Sequence, residues 1–134
     1  MSRFLIDTNV IVDVLSRDPA WFEWSVETLE RCADEGPIGI NPIIYAELAV
    51  GFKRVEELDA ALPSADWSRW ALPWEAGFLA GRCFEHYRRG GGARTSPLPD
   101  FYIGAHAAVE GLTVVTRDVA RFRTYFPGVQ LVVP

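Results

Sequence analysis

Short apolar runs alternate along the chain with longer segments in which apolar residues recur every three or four positions. The short runs predict buried strands, because they are too brief for helices and are apolar on both sides. The longer segments predict amphipathic helices, several of which end at Gly or Pro. The predicted strands cover residues 3–6, 38–40, 70–72, 112–115 and 129–133. The predicted helices cover residues 8–16, 20–35, 53–62, 74–89 and 100–110, with one more from Asn41 towards Gly51 and a short one within 118–124.

Strands and helices alternate throughout the sequence. This order calls for a parallel sheet whose right-handed crossovers place helices on both faces. We therefore predict the α/β class, as a three-layer α/β/α sandwich with a central parallel sheet. No segment is long enough to separate two domains, so residues 1–134 are expected to form a single domain. The glycine- and proline-rich stretch 90–99 is predicted to be a loop.

Two acidic residues follow predicted strands. Asp7 comes directly after the strand 3–6, and Asp118 lies three residues beyond Val115. The carboxyl ends of parallel strands lie at one edge of a sheet, where ligands bind, so the two carboxylates converge if their strands are neighbours. Each acid also has a simpler interpretation, since Asp7 could only cap the following helix and Asp118 could only start a turn.

Two further acids are candidates because of their positions on helices. Glu47 lies inside the helix that follows Asn41, and Asp100 begins the helix that follows the glycine-rich loop. In isolation, Glu47 is more typical of a solvated helix face and Asp100 of an ordinary first helical turn. Considered together, four converging carboxylates repel one another, and they all stay ionised only if cations neutralise them.

A ligand set made only of oxygen atoms favours a hard divalent ion, Mg²⁺ or Mn²⁺. Such ions support phosphodiester hydrolysis, since one ion lowers the pKa of an attacking water and a second ion stabilises the leaving oxygen. The four acids therefore predict a metal-dependent catalytic site. Thr116 and the amide of Asn9 are expected to orient the ligands or a water molecule.

The charge balance argues mildly against a protein that binds nucleic acid through phosphate contacts alone. The net charge is −5, whereas such proteins are usually basic. Metal ions bound by an acidic cluster would reverse the local field and remove this objection. Lys53 is the only lysine, and the remaining twelve positive charges are arginines, which suit bidentate recognition of phosphate.

Four of these arginines flank the three consecutive glycines of the loop. We predict that they contact the backbone of a nucleic acid near the metal site. A solvated helix end, where basic residues interact favourably with the helix dipole, explains them equally well. These residues are Arg82, Arg88, Arg89 and Arg94.

Three aromatic residues, Trp21, Phe22 and Trp24, crowd one turn of the second predicted helix. They are not expected to face one core together, so at least one of them is predicted to be exposed. We interpret Trp21 and Trp24 as candidate contacts with a partner, with packing at the edge of the core as the alternative. A second group of aromatic residues is predicted to belong to the core: Trp67, Trp70 and Trp74.

The remaining reactive side chains are expected to be structural. Cys32 and Cys83 lack a Cys-x-x-Cys spacing and predict reduced, buried thiols, while His86 and His106 are expected to have no catalytic role. No apolar run approaches the roughly 20 residues of a membrane span, and the N-terminal residues do not resemble a signal peptide. These features predict a cytoplasmic protein with no membrane partner.

Four segments, taken in order, resemble the PIN-domain family, and within it the VapC-type toxins of bacterial toxin–antitoxin pairs. They are LIDTNVIVDVL at 5–15, YAELAVG at 45–51, PDFYIGAHAAVEG at 99–111 and LTVVTRD at 112–118. Each segment alone is weakly specific. The set is more specific, because the segments follow the order and the intervals of the family from one end of the chain to the other.

The resemblance implies a Mg²⁺-dependent endoribonuclease with a compact α/β/α sandwich. It also implies a homodimer and a small antitoxin that blocks the site. The acidic cluster that it implies consists of Asp7, Glu47, Asp100 and Asp118, assisted by Thr116 or Asn9.

The sequence departs from the family pattern after the last motif. Many members carry a further acid there, where this chain has Val119, Ala120 and Arg121. Asp13 offers another acid, but it lies a helical turn or more beyond Asp7. One metal ion and two metal ions therefore remain alternatives.

Two other functions compete with the nuclease. A phosphoaspartate protein, either a phosphatase of the haloacid-dehalogenase type or a receiver domain, also places an Asp after its first strand. The phosphatase would need a second Asp where Asn9 stands, and both need a lysine near the acids, whereas Lys53 lies away from every predicted strand end. The non-enzymatic alternative is an inactive module whose acids bind a metal or a basic partner without turnover.

Overall fold

The computed structural model describes residues 2–94 and 98–134, and these residues alternate between strands and helices as predicted. Five strands are present in this part of the chain: β1 (Phe4–Ile6), β2 (Ile38–Ile40), β3 (Ser68–Arg69), β4 (Thr113–Val115) and β5 (Leu131–Val132). They pair in parallel, in the order β3-β2-β1-β4-β5. The predicted α/β class with a central parallel sheet is confirmed.

Seven helices connect the strands within the described residues: α1 (Thr8–Leu15), α2 (Phe22–Glu35), α3 (Pro42–Ala49), α4 (Val55–Ala61), α5 (Trp74–Arg89), α6 (Pro99–Glu110) and α7 (Val119–Tyr125). Helices α1 to α4 form one connected group and α5 to α7 form another, and α3 also packs against α6. Right-handed crossovers place these two groups on opposite faces of the sheet, because the chain moves outward from β1 in opposite directions. This arrangement is the predicted α/β/α sandwich.

The first strand lies at the centre of the sheet. Phe4 is opposite Ile38 of β2 and Thr113 of β4, and Ile6 is opposite Val115. Every residue of β1, β2 and β4 is buried, as expected for parallel strands covered on both faces. The strands that precede Asp7 and Asp118 are therefore neighbours, which is the condition under which these two acids were predicted to converge.

Local sequence signals set the ends of the helices near this edge. The side chain of Asn41 accepts a hydrogen bond from the amide of Ile44 (3.0 Å), and Pro42 begins α3. Gly111 ends α6 in the left-handed conformation, with φ of 68°, which glycine adopts without steric cost. Both boundaries agree with the sequence-based prediction.

The third strand was predicted at the wrong position. It covers Ser68–Arg69 instead of 70–72. The amide of Trp70 still donates a hydrogen bond to Ile40 (2.9 Å), but Ala71 is already exposed as the chain leaves the sheet. The apolar run reflects the packing of the Trp70 ring against the core, and the polar residues before it form the strand pairs.

The tryptophans also differ from the prediction. Trp67 and Trp70 pack against the core, but Trp74 is 93% exposed at the start of α5, so its assignment to the core was wrong. Trp21 and Trp24 are both half-buried, as is the neighbouring Phe22, so the prediction of an exposed member was also wrong. Trp21 and Trp24 pack edge to face, with ring centroids 6.1 Å apart, because positions three apart share a side of a helix.

The remaining structural predictions are largely met. Cys32 and Cys83 are free and buried, and burial raises the pKa of both thiols. His106 is buried beside Asn41, and Nδ2 of Asn41 lies 3.0 Å from Nδ1 of His106.

The loop predicted at 90–99 follows α5, although its residues 95–97 lie outside the described residues and α6 already begins at Pro99. None of the helices in the described part of the chain has the length and apolar character needed to cross a membrane.

Candidate active site

Asp7 is buried at the centre of the carboxyl edge of the sheet. Its carboxylate accepts hydrogen bonds from Thr116 Oγ1 (2.7 Å), the Thr8 amide (2.8 Å) and Asn9 Nδ2 (3.2 Å). The bond from Thr8 makes Asp7 the N-cap of α1 through one oxygen, while the other oxygen faces Thr116. Asp7 therefore does cap the helix, as its simpler interpretation proposed, but the cap uses only one of its two carboxylate oxygens.

Thr116 connects β4 to β1 through its hydroxyl group. The hydroxyl donates its hydrogen to Asp7 and accepts hydrogen bonds from the Asp118 amide (2.9 Å) and from Asn9 Nδ2 (3.5 Å). Asn9 Oδ1 in turn accepts a hydrogen bond from the amide of Arg117 (3.3 Å). Thr116 and Asn9 therefore hold the chain after β4 against the start of α1, as an orienting role requires.

Glu47 reaches the same edge from α3. It is half-buried, and its Oε1 accepts a hydrogen bond from the hydroxyl of Thr8 (2.7 Å), the residue next to Asp7. Glu47 therefore does not lie on a solvated helix face, which was its simpler interpretation. Because Thr8 contacts both Asp7 and Glu47, it couples the acid after β1 to the acid on α3.

Burial and mutual repulsion act on two of the acids. Burial raises the pKa of Asp7 from 3.8 to about 6, with a smaller contribution from the charges of Glu47 and Asp118, while the hydrogen bonds from Thr116 and Thr8 oppose the change. Burial also raises the pKa of Asp100 to about 7, and the charges of Asp7 and Asp118 raise it further. Asp7 is therefore close enough to respond to the charges of Glu47 and Asp118, and Asp100 to those of Asp7 and Asp118.

The acids offer oxygen ligands only, which suits a hard divalent cation. In residues 2–94 and 98–134, no three His, Cys, Asp or Glu side chains are already arranged to hold a metal ion. The raised pKa values of Asp7 and Asp100 nevertheless fit such an ion, because a cation among these carboxylates would offset the burial and the mutual repulsion that disfavour their ionised forms.

An ion pair between buried Asp13 and half-buried Arg117, behind the site, was not predicted from the sequence. Arg117 donates two hydrogen bonds to Asp13, from Nε (2.7 Å) and Nη2 (2.9 Å), and Ser25 adds a third at 2.8 Å. The guanidinium carbon also lies 4.9 Å from the centre of the Trp21 ring. Since Arg117 stands between Thr116 and Asp118, this pair fixes the segment that carries Asp118. The only signal in the sequence was the extra acid at position 13.

Arg121 is the second basic side chain at this edge. Its Nε lies 3.9 Å from Oδ2 of Asp100, and its side chain is 31% exposed. Its charge opposes the upward shift in the pKa of Asp100. Arg121 stands in the segment where the sequence departs from the family pattern.

Some of the basic residues predicted to bind a nucleic acid already contact other residues of this chain. Arg89 donates a hydrogen bond to Glu85 (2.6 Å), and Arg82 lies 3.6 Å from the same carboxylate. Arg88 donates to the carbonyl oxygen of Arg94 (2.6 Å). All four arginines are exposed, so their guanidinium groups are accessible, and their role in binding stays a prediction.

The family model for the PIN domain matches residues 4–126, which include all four acids and most of the chain. This chain belongs to the PIN domain family. The family assignment confirms the resemblance carried by the four sequence segments. No curated protein matches the sequence as a relative.

Solved structures with the same fold come from VapBC proteins. VapBC2 from Rickettsia felis, bound to a promoter DNA fragment, is 23% identical, with 98% of each chain covered and a TM-score of 0.75. DNA-bound VapBC from Salmonella typhimurium is also 23% identical, with 99% of this chain and 98% of that chain covered and a TM-score of 0.73. VapBC-5 from Mycobacterium tuberculosis, of a toxin–antitoxin family, is 20% identical, with coverage of 99% and 98% and a TM-score of 0.60. At these identities the likeness shows the PIN fold.

Proposed function

We propose that this PIN-domain protein is a Mg²⁺-dependent endoribonuclease and the toxin of a type II toxin–antitoxin pair. The observation that carries the proposal is Asp7, buried at the carboxyl edge of a PIN sheet and close enough to Glu47, Asp118 and Asp100 for their charges to interact. We propose further that the whole chain is one nuclease domain. Its substrate is single-stranded RNA in the cytoplasm.

The acids would hold the metal, with Asp7, Asp100 and Asp118 as the main ligands and Glu47 as a further one. The bound ion, Mg²⁺ or Mn²⁺, would lower the pKa of a water molecule and stabilise charge on the phosphodiester. Thr116 and Asn9 keep Asp7 in place, and Thr8 does the same for Glu47. The positions of these side chains are therefore fixed by neighbours that are not themselves ligands.

The proposal includes a homodimer and a small antitoxin protein that covers the site. Support for a protein partner comes from the solved VapBC proteins with the same fold, one of which is described as a member of a toxin–antitoxin family. Trp21 and Trp24 are candidate contacts for the antitoxin, because both rings are only half-buried and Trp21 lies beside Arg117. Light scattering of the purified chain, alone and with the product of the adjacent open reading frame, tests both parts.

The phosphoaspartate alternative lacks support at the site. Lys53 is exposed in the turn between α3 and α4, and the basic groups close to the acids are the arginines Arg117 and Arg121. An inactive binding module remains the alternative that experiment must separate from the nuclease.

The decisive experiment compares the wild type with Asp7→Asn on single-stranded RNA and on DNA of the same sequence. We expect Mg²⁺-dependent cleavage of RNA by the wild type and its loss, by at least about 100-fold, in Asp7→Asn. Asp66→Asn is the matched control, because Asp66 is exposed and distant in sequence from the site. Equal cleavage by wild type and Asp7→Asn, or no cleavage by a folded wild type, would refute the proposal.

A further inference from the structure

Arg121 forms a long ion pair with Asp100, but it donates no hydrogen bond to that acid. It is on α7, one helical turn after Asp118, and its Nε is 3.9 Å from Asp100 Oδ2. That distance is beyond hydrogen-bond range. Arg117, by contrast, donates two short hydrogen bonds to Asp13. The two arginines of this edge therefore differ, since the donors of Arg117 are engaged and the guanidinium of Arg121 retains capacity to bind.

Two aromatic rings hold the guanidinium of Arg121 in place. Its central carbon lies 5.6 Å from the ring centres of both Tyr87 and Phe101. The rings themselves pack edge to face at 5.6 Å, and Phe101 packs against Tyr125 at 5.0 Å. Phe101 is buried and follows Asp100 directly, so the rings fix the arginine beside that acid. A cation restrained in this way loses little side-chain entropy when it binds an anion.

We propose that Arg121 is a catalytic residue that binds a non-bridging oxygen of the scissile phosphodiester. The proposal rests on the nuclease function proposed above. In the hydrolysis, the oxygen of water bonds to phosphorus and the water releases one proton to solvent. The bond from phosphorus to the leaving ribose oxygen breaks, and the leaving oxygen takes up one proton from solvent. Negative charge grows on the phosphoryl oxygens during this step, and a fixed guanidinium beside them stabilises it.

The opposite role would also fit a cation beside Asp100. Arg121 could occupy the place of a metal ion and reduce the affinity of the acids for it, so that its removal would speed the reaction. The two roles predict opposite signs for the change in rate when the charge is removed. Arg121→Gln and Arg121→Lys therefore distinguish them, since lysine retains the charge but lacks the planar pair of donors.

The control is Arg123→Gln, which removes an equal charge from an exposed position on the same helix. In Mg²⁺ we expect Arg121→Gln to lower kcat by about 100-fold and Arg121→Lys by about 10-fold, with melting temperatures close to that of the wild type. Arg123→Gln should cleave like the wild type. Unchanged or faster cleavage by Arg121→Gln would overturn the catalytic role.

A second readout does not depend on catalysis. The binding of a fluorescein-labelled single-stranded RNA to Asp7→Asn and to Asp7→Asn/Arg121→Gln is measured in EDTA over a range of salt concentrations. Loss of one phosphate contact should weaken binding and reduce the slope of log K against log[salt] by about 0.7. Equal slopes would contradict the contact. If the wild type cleaves no RNA but the slope falls, the nuclease function fails while the phosphate contact stands.

Discussion

At the scale of single residues, one hydroxyl group organises the site. Thr116 donates its only hydrogen to Asp7 and accepts hydrogen bonds from Asp118 and Asn9. Sequence alone placed Thr116 and Asn9 near the acids, because both lie within three residues of a strand end. It did not reveal that Arg117 pairs with Asp13, since that contact depends on how α1 packs beneath the segment after β4.

The raised pKa of Asp100 predicts a dependence of stability on pH. Between pH about 4 and 7 the folded protein keeps a proton on Asp100 that the unfolded chain has lost, so stability should fall as the pH rises through this range. Asp100→Asn removes this effect. Without metal, the free energy of unfolding of the variant should exceed that of the wild type by about 2 kcal/mol at pH 8. Near pH 4 the two free energies of unfolding should be similar.

Urea denaturation in EDTA at both pH values measures this difference. The expected difference of about 2 kcal/mol is smaller than the stability change that the whole pKa shift of Asp100 would give. The reason is that 27% of the Asp100 side chain is exposed and solvent screens part of the repulsion. Asp66→Asn, at an exposed position, serves as the control for the loss of one charge. A variant less stable than the wild type at pH 8 would contradict the interpretation.

The pair formed by Asp13 and Arg117 predicts an asymmetric double-mutant cycle. Arg117→Gln leaves a buried carboxylate without its partner and should cost about 3 kcal/mol of unfolding free energy. Asp13→Asn should cost less, because the side chain of Arg117 is 28% exposed and can turn towards solvent. The double variant should lose less than the sum of the two, measured by urea denaturation at pH 7. Additive losses would exclude a direct coupling.

At the scale of elements, the chain signals its helix ends more clearly than its short strands. The start of α3 at Asn41 and Pro42 and the end of α6 at Gly111 were both predicted, and the structure has them at these positions. The third strand was displaced because two pairs of residues suffice to form it at the edge of the sheet. A strand of that length has no periodicity to recognise, and the apolar residues beside it, such as Trp70, serve the core through their side chains.

Two glycines inside helices should respond oppositely to alanine. A β-carbon on Gly104 of α6 would overlap the ring of Phe126, whereas one on Gly81 of α5 would meet nothing within 4 Å. We expect Gly104→Ala to cost about 2 kcal/mol of unfolding free energy through overpacking. Gly81→Ala should add about 0.8 kcal/mol through helix propensity. Thermal unfolding of the two variants tests the contrast, and stabilisation by both would contradict the packing of Phe126.

The end of α5 carries the predicted nucleic-acid contacts. Replacing Arg88 and Arg89 by Glu should weaken the binding of single-stranded RNA and flatten its dependence on salt, because two phosphate contacts are lost. Arg54→Glu, at an exposed position before α4, is the control for charge reversal elsewhere. Fluorescence anisotropy at several salt concentrations gives both quantities. Unchanged binding would leave these arginines as a solvated helix end.

At the scale of the whole molecule, the α/β class with a parallel sheet was predictable, whereas the strand order and the site geometry were not. The alternation of strands and helices determined the parallel sheet, and the sheet brought Asp7 and Asp118 to one edge. The reach of Glu47 from α3 and the aromatic contacts of Arg121 depend on packing between elements far apart in sequence. No local pattern encodes those distances, and the family resemblance supplied the acids with Thr116 and Asn9 but without the contact between Thr8 and Glu47.

Mg²⁺ should stabilise the folded protein as a whole. An ion that binds only the folded state raises the free energy of unfolding by about 1.4 kcal/mol at ten times its dissociation constant. We expect the melting temperature of the wild type to rise with Mg²⁺, and that of Asp7→Asn/Asp118→Asn to stay constant. NaCl at equal ionic strength is the control for screening. An equal rise in both proteins would argue against the acids as ligands.

The central position of β1 in the sheet means that the site is completed late in the synthesis of the chain. β1 is synthesised first, yet one of its two neighbours is β4, whose Thr113 pairs with Phe4. A growing chain can pair β1 with β2 early, but it lacks both β4 and Asp118 until the ribosome has passed that residue. Every shorter nascent chain lacks part of the acid set. If the proposed nuclease function holds, its activity should therefore appear only in chains translated at least as far as the segment after β4.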